Sequence, residues 1–170
     1  MKSITKPIAL VILLTILFAF TMDKPVKIIF FGDSITQMGV DPGGYIDRMN
    51  KALVEKGKAN NYELIGAGIG GNKVYDLYLR LEDDVLSKSP DKVVIWVGVN
   101  DVWHKAMGTG TDIDKFEKFY EAIIKKLEEK KIEIILCTPA SIGERNDFSN
   151  TQDGDLNQYS KIIRTLATKH

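Results

Sequence analysis

Three short segments carry residue types that could do chemistry. Gly32-Asp33-Ser34-Ile35-Thr36 follows an apolar run and puts a hydroxyl at a tight turn. If a helix begins there, its N-terminal amides lower the cost of negative charge near Ser34, favouring a nucleophilic serine and a developing oxyanion. Taken alone, the triplet has a plainer reading, in which Ser34 or Asp33 caps a helix and Gly32 turns the chain. The second segment, Gly66-Ala67-Gly68-Ile69-Gly70-Gly71-Asn72, lets backbone amides approach a ligand because glycine has no Cβ. Its spacing also fits G-x-G-x-x-G, a dinucleotide pyrophosphate fingerprint. That fingerprint belongs after the first strand of its unit, with an acidic residue about 20 positions on at the end of the next strand. Glu82, Asp83 and Asp84 instead close a helical segment, so a single amide donor to an oxyanion is the preferred reading. The third segment is Gly98-Val99-Asn100-Asp101, followed by Val102-Trp103-His104. An Asn side-chain amide at a strand end can donate to a tetrahedral oxyanion, a bond worth roughly 3–4 kcal/mol of transition-state stabilisation. The alternative makes Asn100 a turn residue and Asp101 a helix cap, and both can hold at once.

The elements that must position these residues follow from hydrophobic patterning. Val26 to Phe31, Tyr62 to Ile65, Lys92 to Val97 and Ile132 to Cys137 are apolar, β-branched runs that read as buried strands. Between them, Tyr45/Ile46/Met49/Leu53, Val74/Leu77/Tyr78/Leu81/Val85 and Phe116/Phe119/Tyr120/Ile123/Ile124/Leu127 have helical spacing, and Leu156/Tyr159/Ile162/Ile163/Leu166 predicts a last helix. Thr111-x-x-Asp114 reads as a capping box. Alternating strands and helices imply right-handed crossovers, a parallel sheet and helices on both faces. In such sheets ligands sit beyond the carboxyl ends of the strands, where the three segments fall. No repeat or linker divides the chain, so one domain over residues 22–170 is expected.

The order Gly-Asp-Ser, then glycine, then Gly-x-Asn-Asp resembles the SGNH, or GDSL, hydrolase family, over residues 26 to about 140. The stretches Gly-Asp-Ser-Ile-Thr-Gln and Gly-Val-Asn-Asp-Val-Trp-His are especially similar to bacterial secreted esterases. The resemblance implies a flavodoxin-like, three-layer α/β/α sandwich. It implies that Ser34 is the nucleophile of a carboxylester hydrolase, and that the amides of Ser34 and Gly71 and the side chain of Asn100 form an oxyanion hole. The substrate is expected to be a small-molecule or carbohydrate ester, with no cofactor and no metal. Asp33, Trp103 and His104 are expected beside the substrate, and Trp96 in the core. An α/β-hydrolase is disfavoured because Thr36 stands where the second glycine of G-x-S-x-G would be.

The family's Asp-x-x-His block, placed late in the chain near the fifth strand and final helix, where the histidine acts as base and the aspartate orients it, has no counterpart at that place. The only histidines are His104 and His170, and Ala167 stands three before His170. Two readings compete: a chain lacking the fifth strand and last helix of its family, which is the expectation favoured, or a catalytically dead domain that binds carbohydrate.

Composition excludes other classes. Lys plus Arg and Asp plus Glu both number 23, so no net field holds nucleic acid. Cys137 is the single cysteine, which forbids an internal disulfide and, set in a strand, reads as a small buried hydrophobe. Lys2 and Lys6 precede an apolar run from Ile8 to Phe20. The run is shorter than the ~18–20 residues of a spanning helix, so residues 1–21 are expected to be a signal peptide and the protein secreted or periplasmic, an N-terminal membrane anchor being the alternative.

Overall fold

The structure is a computed structural model that describes residues 24–142 and 150–170; the expected signal peptide lies outside the described residues. The first strand, β1 (Val26–Gly32), leads into a short helix, α1 (Ser34–Gly39), and then α2 (Tyr45–Glu55). After β2 (Tyr62–Gly68) come α3 (Val74–Asp84), β3 (Lys92–Trp96), α4 (Val99–Trp103), α5 (Ile113–Glu129), β4 (Glu133–Cys137) and α6 (Asp153–Lys169).

The four strands form one parallel sheet in the order β2-β1-β3-β4. Register matters for function here. Gly32 at the end of β1 pairs with Gly68 of β2 and with Trp96 of β3. Three strand ends are therefore level, and the three loops that carry the candidate chemistry leave the sheet side by side.

Alternation along the strands assigns the layers. Ile29, Phe31, Val93 and Ile95 are fully buried against Val74, Leu77 and Leu81 of α3, Phe116, Ile123 and Leu127 of α5, and Leu156, Tyr159 and Ile163 of α6. Burying each such side chain stabilises the fold by roughly 1.5–3 kcal/mol. On the opposite face Phe30 meets Tyr45 of α2 edge-on at 5.6 Å between ring centres, and Ile46 is buried. This second layer thins toward β4, where Ile135 is 44% exposed. The α/β class, the parallel sheet and the helical layers all match the expectation from sequence.

Local details differ. Strand β2 continues past Ile65 to Gly68 because its pairing with β1 runs on through the glycines. The capping box expected at Thr111 and Asp114 does not form: Asp112 is the residue preceding α5, and Thr111 is buried. The Thr111 amide donates to the Asp101 carbonyl at 3.0 Å, and its own carbonyl accepts from the Tyr159 hydroxyl, so both backbone groups are committed to the interior. The reciprocal bond appears instead at α3, where the Lys73 amide donates to Asp76 Oδ2 at 2.9 Å. Trp96 is half-buried rather than in the core; its ring meets Tyr45 at 5.5 Å and its indole N–H donates to the Thr138 carbonyl at 3.0 Å. Among the described residues no helix is long and apolar enough to cross a membrane.

Candidate active site

Ser34 is the first residue of α1, and the cap of that helix is Asp33, whose Oδ1 accepts from the Ile35 amide at 3.0 Å. Asp33 is only 1% exposed, and burial pushes its carboxyl above the usual range against the pull of the Ile35 amide. Its carboxylate caps α1, which is the plainer reading of the Gly-Asp-Ser triplet. Ser34 itself is half-buried, with the α1 dipole behind it.

Glycine is required where β2 meets this turn. A Cβ on Gly68 would lie 2.1 Å from the Gln37 amide nitrogen, so only hydrogen lets the strand end touch α1. The chain then turns at Ile69-Gly70-Gly71-Asn72, closed by the Asn72 amide on the Ile69 carbonyl at 3.3 Å, with Gly71 at φ +74°. That left-handed value is one that L side chains rarely adopt. Gln37 Oε1 accepts from the Gly70 amide at 2.8 Å, and a Cβ on Gly70 would come within 4.0 Å of Ser34 Cβ, which sets the turn against the serine. Lys73 Nζ donates to the Gly71 carbonyl at 2.9 Å, fixing the far side of that residue. The amides of Ser34 and Gly71 donate to no group among the described residues.

Asn100 and Asp101, both buried in α4, stitch the third loop to the second. Asn100 Nδ2 donates to the Asn72 carbonyl at 3.1 Å, which orients its amide and leaves the second N–H to point elsewhere. Both Asp101 oxygens accept from the Val74 amide at the start of α3, at 3.1 and 3.3 Å. Burial pushes the Asp101 carboxyl up to about 6, opposed by the Thr111 hydroxyl, the Val74 amide and Lys73. His104 faces the same turn: a Cβ on Gly71 would stand 3.9 Å from His104 Cε1. Trp103, 50% exposed, lies 5.7 Å from the His104 ring and forms an open aromatic rim.

The structure thus brings Ser34, the Gly70-Gly71 turn, Asn100 and His104 together and sets Asp33 behind them. Gln37, Lys73 and Arg80, which hold these groups, are not singled out by the sequence as parts of the site, whereas Asp101 belongs to the third segment and acts as the helix cap read there, at the start of α3. Nothing in one sequence marks the first three, because polar residues on short helices also read as solvent-facing.

A serine at a helix N-terminus, a left-handed glycine and a buried asparagine are thus gathered at level strand ends of a parallel sheet. The model of the GDSL-like lipase/acylhydrolase family matches residues 30–170, and the chain belongs to that family. It is similar to an acetyl xylan esterase, AlAXEase, at 68% identity and TM-score 0.82, covering 85% of this chain and 73% of that one. It also resembles Axe2, an acetylxylan esterase from Geobacillus stearothermophilus, whose crystal structure is matched at 27% identity and TM-score 0.71 over 87% of this chain and 75% of that one. Structures of Axe2 include catalytic mutants in which a serine, an aspartate and a histidine three positions after it were each changed to alanine. A Bacillus subtilis lipoprotein, YqeF, is 30% identical over 97 residues, 55% of this chain and 39% of its own length.

Proposed function

We propose that this chain carries the nucleophile and oxyanion hole of a carboxylesterase that removes acetyl groups from acylated carbohydrate, of the xylan type. The observation that supports it best is the juxtaposition of Ser34 with two backbone amides that have no acceptor among the described residues and with Asn100. Ser34 Oγ attacks the ester carbonyl carbon while a base takes its proton. The tetrahedral oxyanion is held by the Ser34 and Gly71 amides and Asn100 Nδ2; the alcohol leaves with the proton, and water then hydrolyses the acyl-serine. Trp103 and His104 border the sugar, and no cofactor is needed. The site is proposed to act outside the cytoplasm, a placement that the lipoprotein relative supports.

The base is proposed to be the histidine of an Asp-x-x-His pair of the kind that Axe2 carries. The serine, aspartate and histidine of Axe2 support this, as does the exposed apolar face at Ile135. Residues 1–170 alone are then nearly inactive, since losing one member of a triad costs about ten-thousand-fold. The chain, extended at its C-terminus to carry such a pair, should hydrolyse p-nitrophenyl acetate and release acetate from acetylated xylooligosaccharides, and Ser34→Ala should abolish both. Equal rates for parent and variant would sink the proposal. A folded, extended chain that binds xylooligosaccharide without turnover would favour a binding module instead.

A further inference from the structure

Arg80, on α3, is mostly buried, with 14% of its side chain exposed. Four hydrogen bonds leave its guanidinium. Nε donates to Asn72 Oδ1 at 2.7 Å, Nη2 to the Gly32 carbonyl at 2.7 Å, and Nη1 to the Ala67 carbonyl at 3.1 Å and to Asp84 Oδ2 at 2.5 Å. The guanidinium carbon also lies 4.5 Å from the centre of the Phe31 ring.

Three of those acceptors border the site. Gly32 immediately precedes Asp33-Ser34. Ala67 lies in β2 just before the glycine turn. Asn72 closes that turn, and its backbone carbonyl is the group that holds Asn100. One planar side chain is therefore bonded to the serine turn and, at two points, to the loop that carries the Gly71 amide. The Gly32 carbonyl accepts a second bond, from the Ile69 amide at 3.2 Å, so the two loops also meet directly at the point that Arg80 holds.

We propose that Arg80 is a positioning residue that fixes the separation between Ser34 and the oxyanion donors of the Gly71 loop. A guanidinium suits this task because its donors lie in one rigid plane at set angles, so three acceptors in different directions fix one another's positions. A lysine ammonium is a single point with rotatable donors and cannot span Gly32, Ala67 and Asn72 together. The asymmetry between ground and transition state gives the expected signature. The oxyanion forms only as the serine attacks, so misplaced donors lower kcat and leave KM nearly unchanged. A displacement of about 1 Å in such a constellation costs on the order of a hundredfold in rate.

This inference rests on the Ser34 reading, and the experiment separates the two. In the extended chain, kcat and KM for p-nitrophenyl acetate are measured for the parent, Ser34→Ala, Arg80→Lys and Asn72→Ala, at a temperature where each shows the parent's far-UV circular dichroism. Arg80→Lys should lose roughly 10- to 100-fold in kcat with KM within about twofold of the parent. Asn72→Ala, which removes one tether without touching the Arg80–Asp84 pair, should lose a smaller part of kcat with the same KM signature; it carries the test if Arg80→Lys does not fold. Both variants keeping the parent's kcat, or losing rate through KM alone, overturn the positioning role while an inactive Ser34→Ala leaves the Ser34 reading standing. An active Ser34→Ala overturns the reading itself.

Discussion

Asn100 Nδ2 donates to the Asn72 carbonyl at 3.1 Å, so the side chain proposed as an oxyanion donor is held by the loop that supplies the second donor. Replacing Asn100 with alanine in the extended chain should lower kcat by about 100- to 1,000-fold with KM little changed. Steady-state kinetics on p-nitrophenyl acetate check this, and a rise in KM at constant kcat would assign Asn100 to ground-state binding instead.

Gly71→Ala tests the turn. At φ +74° an L residue is strained by about 1–2 kcal/mol, while the added methyl has open space, with His104 Cε1 at 3.9 Å as its nearest neighbour. The variant should fold with a modestly lower Tm and lose at least tenfold in kcat as the amide rotates away. Unchanged kcat with a lowered Tm would leave Gly71 a structural residue only.

Asp101 makes stability depend on pH with a defined sign. Its folded-state carboxyl is pushed up to about 6, above the ordinary 3.8, chiefly by burial. The folded state therefore binds the proton more tightly than the unfolded state. The stabilisation is complete below about pH 4 and is lost as pH rises through about 6, an effect of about 3 kcal/mol. Asp101→Asn, which keeps an oxygen for the Val74 amide, should remove this slope, so the stability of the variant relative to the parent should rise between pH 4 and 6 in urea unfolding. A pH-independent difference would show that the Asp101 carboxyl is not raised in the folded state.

Trp103 is proposed to border the sugar and not the acyl group. As the exposed rim beside His104, its change to alanine should raise KM for acetylated xylooligosaccharide by about tenfold, a contact of about 1.4 kcal/mol, and leave p-nitrophenyl acetate hydrolysis unaffected. Equal losses on both substrates would move Trp103 into the framework of the site.

Much of this architecture was legible in the sequence because the signals are periodic. Four apolar runs alternating with 3.6-spaced helices define a parallel sheet, and a parallel sheet places the loops after Gly32, Gly68 and Trp96 at one edge. The positions of Ser34, Gly71 and Asn100 followed from that. The supporting contacts were not legible. Arg80 reads as one charge on an amphipathic helix until three strand and loop acceptors fold around it. Asp101 reads as an ordinary cap until burial raises its carboxyl. Nothing in a Gly-Asp-Ser triplet tells which way the Asp33 carboxylate turns; the Ile35 amide at the start of α1, from which it accepts, sets it as a cap. Thr111 failed as a cap for the converse reason, its backbone already being bound to Asp101 and Tyr159.

The central claim is that Ser34 is acylated, and trapping the acyl-enzyme tests it most directly. The extended chain is mixed with p-nitrophenyl acetate, quenched in acid within the first turnovers, and its peptides are mapped by mass spectrometry. The account predicts an acetyl group on the peptide containing Ser34, absent in Ser34→Ala and in the parent after the ester is exhausted. Turnover with no adduct at Ser34, or an adduct that survives in Ser34→Ala, would contradict it.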